Sequence, residues 1–126
     1  MKKIIQLVNC LALSLLTGCA VLSKPIVDLT ILNNTPLTIM DSTVSWGDSG
    51  FHFGYLGDRG SKTCLDFPFS KINVVTVNLT TDTGIKLQYT TNVGKIFDGK
   101  HSGEVELIIN TNEVTPIFKA RLIPNN

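Results

Sequence analysis

The sequence has few of the residues that build metal sites or disulfide frameworks. Its 126 residues include three cysteines and two histidines. Five side chains could in principle surround a metal, but they lack the close, repeated spacing of zinc ligands. They are Asp48, His52, Asp58, Asp98 and His101. The sequence therefore predicts no metal and no cofactor, and a chain of this length can form one hydrophobic core without such support.

Neither positive nor negative charge dominates the chain. Eleven basic residues stand against ten acidic ones, and the formal net charge is +1. The basic residues form no run or cluster, which excludes a typical nucleic-acid partner. No glycine-rich loop precedes a helix, so the sequence also gives no support for a nucleotide site.

One segment resembles a catalytic motif, but its context is wrong. Gly47-Asp48-Ser49-Gly50 matches the sequence around the nucleophile of chymotrypsin-like proteases. In that family the histidine and aspartate precede the serine, whereas His52 and His101 both follow Ser49 and the chain is about half the needed length. We interpret the segment as a turn, and predict that the protein is not an enzyme and has no catalytic residue.

Helical periodicity is missing from the chain beyond residue 25. Apolar residues alternate with polar ones instead, and β-branched residues recur throughout. Eight short strands are predicted: Val27–Ile31, Leu37–Trp46, Phe51–Tyr55, Lys62–Phe67, Ile72–Thr80, Ile85–Tyr89, Glu104–Ile109 and Val114–Ile123. This spacing predicts an all-β domain over residues 25–126, an antiparallel β-sandwich with an immunoglobulin-like or transthyretin-like outline. A small β-barrel is the alternative.

The N-terminal stretch combines two lysines, a short apolar run and a cysteine. Lys2 and Lys3 precede the uncharged segment Ile4–Leu16, and Leu16-Thr17-Gly18-Cys19 follows. This pattern resembles the bacterial lipoprotein family, whose lipobox is a leucine, two small residues and a cysteine. The resemblance implies that residues 1–18 are a signal peptide, that the chain is cut before Cys19, and that Cys19 carries a covalent lipid.

An uncleaved membrane anchor is the competing interpretation of this stretch. The uncharged run extends from Ile4 to Ser23, twenty residues, which is long enough to span a bilayer. Polar residues interrupt it at Gln6, Asn9, Ser14 and Thr17, which favours the signal peptide.

Lipidation at Cys19 has consequences for the rest of the chain. Residues 19–24 become the lipidated cysteine and a short tether, whose last five residues span at most about 18 Å. In the lipoprotein family the residue after the cysteine often sorts the protein between membranes, and Ala20 is not the aspartate that retains lipoproteins at the inner one. For a Gram-negative host the resemblance therefore implies an outer-membrane protein that faces the periplasm. Cys64 then has no partner for an internal disulfide, and we expect this odd thiol to be buried in a strand.

The sequence offers one candidate binding face. Phe51, Phe53 and Tyr55 alternate along a predicted strand, where they form either part of the core or a platform for a sugar or a protein. The core is the interpretation we favour, and Trp46, which shares a strand face with Val44, is also expected to lie in the core.

These observations predict a membrane-anchored envelope lipoprotein that acts as a non-enzymatic binding or structural module. Its partners would be the membrane, through the lipid on Cys19, and an envelope protein. The alternative is an immunity or exclusion lipoprotein, which neutralises a toxin or blocks a phage receptor. The segment from Asn33 to Leu56 also resembles small uncharacterised envelope lipoproteins, but that likeness assigns no functional residue.

Overall fold

The computed structural model describes residues 25–97 and 99–120. The lipobox, Cys19 and Asp98 lie outside these residues, as do residues 121–123 of the last predicted strand. Eight strands form, one at each predicted position: β1 (Val27–Asn33), β2 (Ile39–Trp46), β3 (Ser49–His52), β4 (Ser61–Cys64), β5 (Val74–Thr81), β6 (Lys86–Asn92), β7 (Gly103–Ile109) and β8 (Val114–Ala120). One turn of 3-10 helix, Phe69–Lys71, lies between β4 and β5.

The strands form two four-stranded sheets that do not close into a barrel. Their orders are β4-β1-β7-β8 and β3-β2-β5-β6. The predicted all-β sandwich is therefore confirmed. In an immunoglobulin constant domain the first and second strands share a sheet, whereas here they lie in different sheets. The strand order therefore differs from that of the immunoglobulin outline.

One strand pair departs from the predicted antiparallel arrangement. β1 and β7 are parallel, with Val27 opposite Gly103 and Asn33 opposite Ile109, while every other named strand pair is antiparallel. A short hairpin forces its two strands to run in opposite directions. Since β1 and β7 are far apart in the sequence, no hairpin constrains their relative direction.

The core lies between the two sheets and follows the alternation along each strand. In β1, β5 and β7 every second residue is buried and faces the opposite sheet. These residues are Val27, Leu29, Ile31, Val75, Val77, Leu79, Val105, Leu107 and Ile109. Trp46 packs against this core from the end of β2, with its ring edge to face against Phe67 at a centroid distance of 4.8 Å. It is half-buried, because it lies where the strand ends.

Strand directions define two ends of the sandwich. β1 begins at Val27 at one end, which we call the base, and β7 and the end of β8 lie beside it there. The opposite end, which we call the apex, holds the connections after β1, β5 and β7. Asn34 N donates to Ile109 O (2.9 Å), and Asp82 N donates to Thr38 O (3.1 Å), so these connections lie side by side.

Cys64 is half-buried rather than fully buried as predicted. It is the last residue of β4, which is an edge strand of only four residues, so neighbours cover the thiol on one side only. Burial raises the pKa of the Cys64 thiol, and the charges of Asp28 and Asp66 raise it further.

Candidate functional site

The three aromatic residues predicted to share a face are divided by the backbone. Phe51 and Phe53 pack together edge to face with ring centroids 4.8 Å apart. Gly54 then has a φ of +83°, a conformation that breaks the alternation. As a result Phe53 is 5% exposed and belongs to the core, as favoured from the sequence, whereas Tyr55 is 51% exposed. Phe51, on the edge strand β3, is partly exposed.

Tyr55 lies beside a residue that sequence reasoning missed. Ile39 and Leu56 exchange two backbone hydrogen bonds, of 2.9 and 2.8 Å, in an isolated antiparallel bridge. This bridge places Tyr55 opposite Met40. The pairing of β2 with β5 shifts register between Ile39 and Asp41, so Met40 is the extra residue of a β-bulge. A bulged residue has no place in a strict alternation, which is why the pattern did not single out Met40.

Two further apolar residues lie at the apex, just outside the strands in which they were predicted. Leu37 precedes β2, and Ile85 precedes β6. Their segments are neighbours, because Thr38 O accepts the Asp82 N–H and Thr81 N donates to Ile85 O (2.9 Å). We call Leu37, Met40, Tyr55 and Ile85 the apical patch; each is about half exposed. Exposed apolar clusters of this kind commonly mark interaction sites.

A single buried amide holds the apical loops in place. The Asn33 side chain is fully buried, and its Nδ2 donates to Leu37 O (2.7 Å) and Gly57 O (2.9 Å). Its Oδ1 accepts hydrogen bonds from Thr35 N (3.1 Å) and Thr35 Oγ1 (2.6 Å). Thr35 Oγ1 in turn accepts the Leu37 N–H (3.1 Å). The loop after β1 and the loop before β4 are thus fixed to each other, which preorganises the backbone that carries Leu37 and Tyr55.

Polar groups surround the apical patch. His52 Nε2 contacts Asp41 Oδ1 on the exposed side of β2 and β3. Arg59 Nη1 donates to Asn34 Oδ1 (3.0 Å), and Arg59 Nε lies 3.6 Å from Asp58 Oδ1. An apolar centre with a polar rim is the usual anatomy of a protein–protein interface.

The residues considered for catalysis or metal binding, apart from Asp98, lie in the part of the chain that the structure describes, and there they do not come together. Within residues 25–97 and 99–120 no group of three His, Cys, Asp or Glu side chains could hold a metal ion. Ser49 and His52 occupy odd and even positions of β3, so they point to opposite faces of the strand. Asp58 lies in the apical loop after β3, and His101 lies at the base, just before β7.

A second surface feature lies on the outer face of the β3-β2-β5-β6 sheet. It is a shallow, open depression of about 450 Å³ between β5 and β6, beside the side chains of Asn78, Thr80, Lys86 and Gln88. Gln88 Nε2 donates to Asn78 Oδ1 (2.8 Å), which fixes both amides. Leu79 and Leu87 also line this depression, so its surface is mixed polar and apolar.

Comparison with known proteins identifies no family. No protein-family model matches the sequence, and no curated protein matches it. Among solved structures, an NMR structure of a protein from Eubacterium rectale is similar over 74% of this chain and 87% of that chain, with 18% sequence identity and a TM-score of 0.46. In the part of the chain that the structure describes, no helix is both long and apolar enough to cross a membrane.

Proposed function

We propose that this protein is an envelope lipoprotein that acts as a non-enzymatic binding module, anchored through Cys19 and binding a partner protein with its apical patch. The observation that supports this proposal best is the position of the patch. Its four half-exposed apolar side chains lie at the end of the sandwich opposite to Pro25, where the tether from Cys19 would join the domain.

The geometry favours a partner on the side away from the membrane. Five residues separate Cys19 from Pro25, and a chain of that length reaches about 18 Å. β1 then runs from base to apex over seven residues, which is about 23 Å. The base would lie near the bilayer, and the apical patch would lie roughly one strand length further out, within reach of another envelope protein.

The chemistry of the patch favours a protein as that partner. Tyrosine and methionine are enriched at the centres of protein interfaces, and tyrosine is frequent among the residues that contribute most to binding. Met40 and Tyr55 are each the neighbour in sequence of a residue of the Ile39–Leu56 bridge, and Asn33 bonds the loop that follows Tyr55. A rigid patch loses little conformational entropy on binding.

Lipidation is tested by replacing Cys19. In bacteria grown with labelled fatty acid, the wild-type protein should carry the label and Cys19→Ser should carry none, because serine lacks the thiol that is acylated. Cys64→Ser serves as the matched control and should keep the label. Equal labelling of Cys19→Ser and wild type would exclude the lipobox.

The patch is tested by site-specific photo-crosslinking in the same cells. A benzoylphenylalanine at Tyr55 should give a discrete adduct, whereas the same group at Gln88, on the outer face of the sheet, should give none. Met40→Glu should abolish the Tyr55 adduct, because it places a charge in the apolar centre. A toxin or phage protein in the adduct would favour the immunity or exclusion alternative over a structural partner. Adducts of equal yield from both positions would contradict the proposed site.

A further inference from the structure

We propose that the base of the sandwich lies on the bilayer surface, with Leu65 and Ile26 inserted among the lipid headgroups, so that the domain has one fixed orientation on the membrane. This inference rests on the proposed lipidation of Cys19. It adds a second membrane contact, made by the folded domain itself.

The exposure of Leu65 is the first feature that supports this contact. It is 74% exposed, more than any other large apolar side chain in residues 25–97 and 99–120. It follows β4 in a turn in which Asp66 has a φ of 52°, and Asp66 N donates to Asp28 Oδ1 (2.9 Å). Phe67 N donates to Val27 O (2.8 Å) on the other side of the turn. The exposed leucine is therefore held in a fixed turn rather than on a loose loop.

The position of Ile26 is the second feature, because it places the proposed membrane contact beside the tether. Its N–H donates to Ser102 Oγ (2.9 Å), and its carbonyl accepts the Gly103 N–H (3.1 Å), so the residue is fixed on the sheet. It is 41% exposed. The turn of Leu65 is bonded to residues 27 and 28, so Leu65 and Ile26 lie on neighbouring segments at the end of the domain where the described chain begins at Pro25.

The short tether favours the bilayer, rather than another protein, as the partner of this surface. Cys19 would be held at the membrane by its acyl chains, and the five residues up to Pro25 extend at most about 18 Å. A short linker keeps the local concentration of a tethered group at roughly millimolar levels, so contacts that are weak in solution become populated. A soluble partner protein would have to enter this narrow space between the domain and the membrane.

The charges near the two side chains indicate an apolar contact rather than an electrostatic one. Asp28 and Asp66 flank the turn of Leu65, and the exposed Lys71, Lys95 and Lys100 lie in other loops of the base, so charges of both signs are present and neither dominates. Lysines that dominated the contact would make it depend on anionic lipid. We therefore expect docking to change little with the fraction of anionic lipid.

The experiment measures the depth of a fluorophore on the acylated protein in liposomes of phosphatidylethanolamine and phosphatidylglycerol. In a Cys64→Ser background, Leu65→Cys and, as the matched apical control, Ile85→Cys are each labelled with a polarity-sensitive dye. A lipid with a quencher on its upper acyl chain is then added. We expect at least threefold stronger quenching at position 65 than at position 85, unchanged when the phosphatidylglycerol fraction is halved. Ile26→Ser should reduce the quenching at position 65.

Mass spectrometry of the same samples separates this inference from the proposed function. Acyl chains on Cys19 together with equal quenching at both positions would overturn the orientation and leave the anchor intact. Quenching at position 65 that falls in proportion to the anionic lipid would overturn the apolar contact. A protein without acyl chains would overturn the anchor and this inference with it.

Discussion

Asn33→Ala should destabilise the domain strongly, although Asn33 is a polar residue at the end of β1. The Asn33 side chain donates hydrogen bonds to Leu37 O and Gly57 O and accepts two from Thr35. Alanine removes all four, leaves Leu37 O and Gly57 O without these partners in a partly buried site, and empties the space of a fully buried side chain. The variant therefore tests whether one amide joins the two apical loops.

The expected loss of unfolding free energy follows from the number of hydrogen bonds that the substitution removes. At about 1 kcal/mol each, four hydrogen bonds contribute roughly 4 kcal/mol to the free energy of unfolding. That is a large share of the 5 to 15 kcal/mol typical of a small domain. Thr35→Val keeps the side-chain shape and removes only the two bonds of Oγ1, so it should cost about 2 kcal/mol. Asn78→Ala, on the outer face of the sheet, should stay within about 0.5 kcal/mol.

Urea unfolding followed by the fluorescence of Trp46 is the appropriate assay. Trp46 is the only tryptophan in the chain and lies at the base, so it reports loss of the whole sandwich rather than of the apical loops. With a slope of about 1.2 kcal/mol per molar urea, 4 kcal/mol lowers the midpoint by roughly 3 M. Hydrogen exchange of residues 34–38 and 56–60 should also accelerate in Asn33→Ala.

Asn33→Asp gives a second signature of the same site. A buried carboxyl that faces two carbonyl oxygens has a raised pKa, because burial and the carbonyls disfavour its charged form. A raised folded-state pKa gives stability that is present at low pH and is lost as the pH rises through it. The stability difference from wild type should therefore widen from pH 4 to pH 7. A cost for Asn33→Ala no larger than that for Thr35→Val, or a pH-independent Asn33→Asp, would refute the role assigned to Asn33.

Three further predictions concern the segment around β3 and the thiol of β4. In denaturant melts, Phe53→Ala should lower the free energy of unfolding by about 3–5 kcal/mol, as for other buried aromatics, whereas Tyr55→Ala should change it by no more than about 0.5 kcal/mol. Equal midpoints would contradict the assignment of Phe53 to the core and of Tyr55 to the surface. Gly54→Ala should cost about 1 kcal/mol because of the positive φ of Gly54, and no change would show that the backbone relaxes. The pKa of the Cys64 thiol is raised on folding, so the stabilisation that comes from this thiol is complete below the unfolded-state pKa and is lost as the pH rises through the folded-state pKa. Alkylation of Cys64 near pH 8 should be slower in folded than in urea-unfolded protein. Cys64→Ser should lack this pH dependence of the free energy of unfolding.

The strands were predictable because alternation is a local property. Val75, Val77 and Leu79, for example, face the core wherever β5 pairs. The direction of β1 beside β7 was not predictable, since pairing between distant strands depends on the whole sheet. The position of Tyr55 also escaped the pattern, because one positive φ at Gly54 reverses the strand face and the sequence shows only that a glycine is present.

The apical patch could not be found from the sequence for a related reason. Leu37 and Met40 flank the start of β2, whereas Tyr55 and Ile85 come from two other segments, and only backbone hydrogen bonds between these segments bring them to one end of the sandwich. Asn33 lies beyond the predicted first strand, Val27–Ile31, although it is the last residue of β1. A buried amide that bonds several backbone groups has no distinctive local pattern. Contacts between distant segments, rather than propensity, decide which residues lie at the apex.

The parallel pairing of β1 with β7 has a consequence for how the chain folds. Residues 26 and 102, which flank the start of this pair, are 76 positions apart, so the first strand has only the four-residue β4 beside it until the last quarter of the chain is present. All four strands of the β3-β2-β5-β6 sheet lie between residues 39 and 92, with β4 of the other sheet among them, whereas the β4-β1-β7-β8 sheet needs strands from both ends of the domain. Long-range pairing of this kind makes folding slow, typically milliseconds to seconds. A chain with this topology remains unfolded for longer during synthesis, as the export proposed above would require.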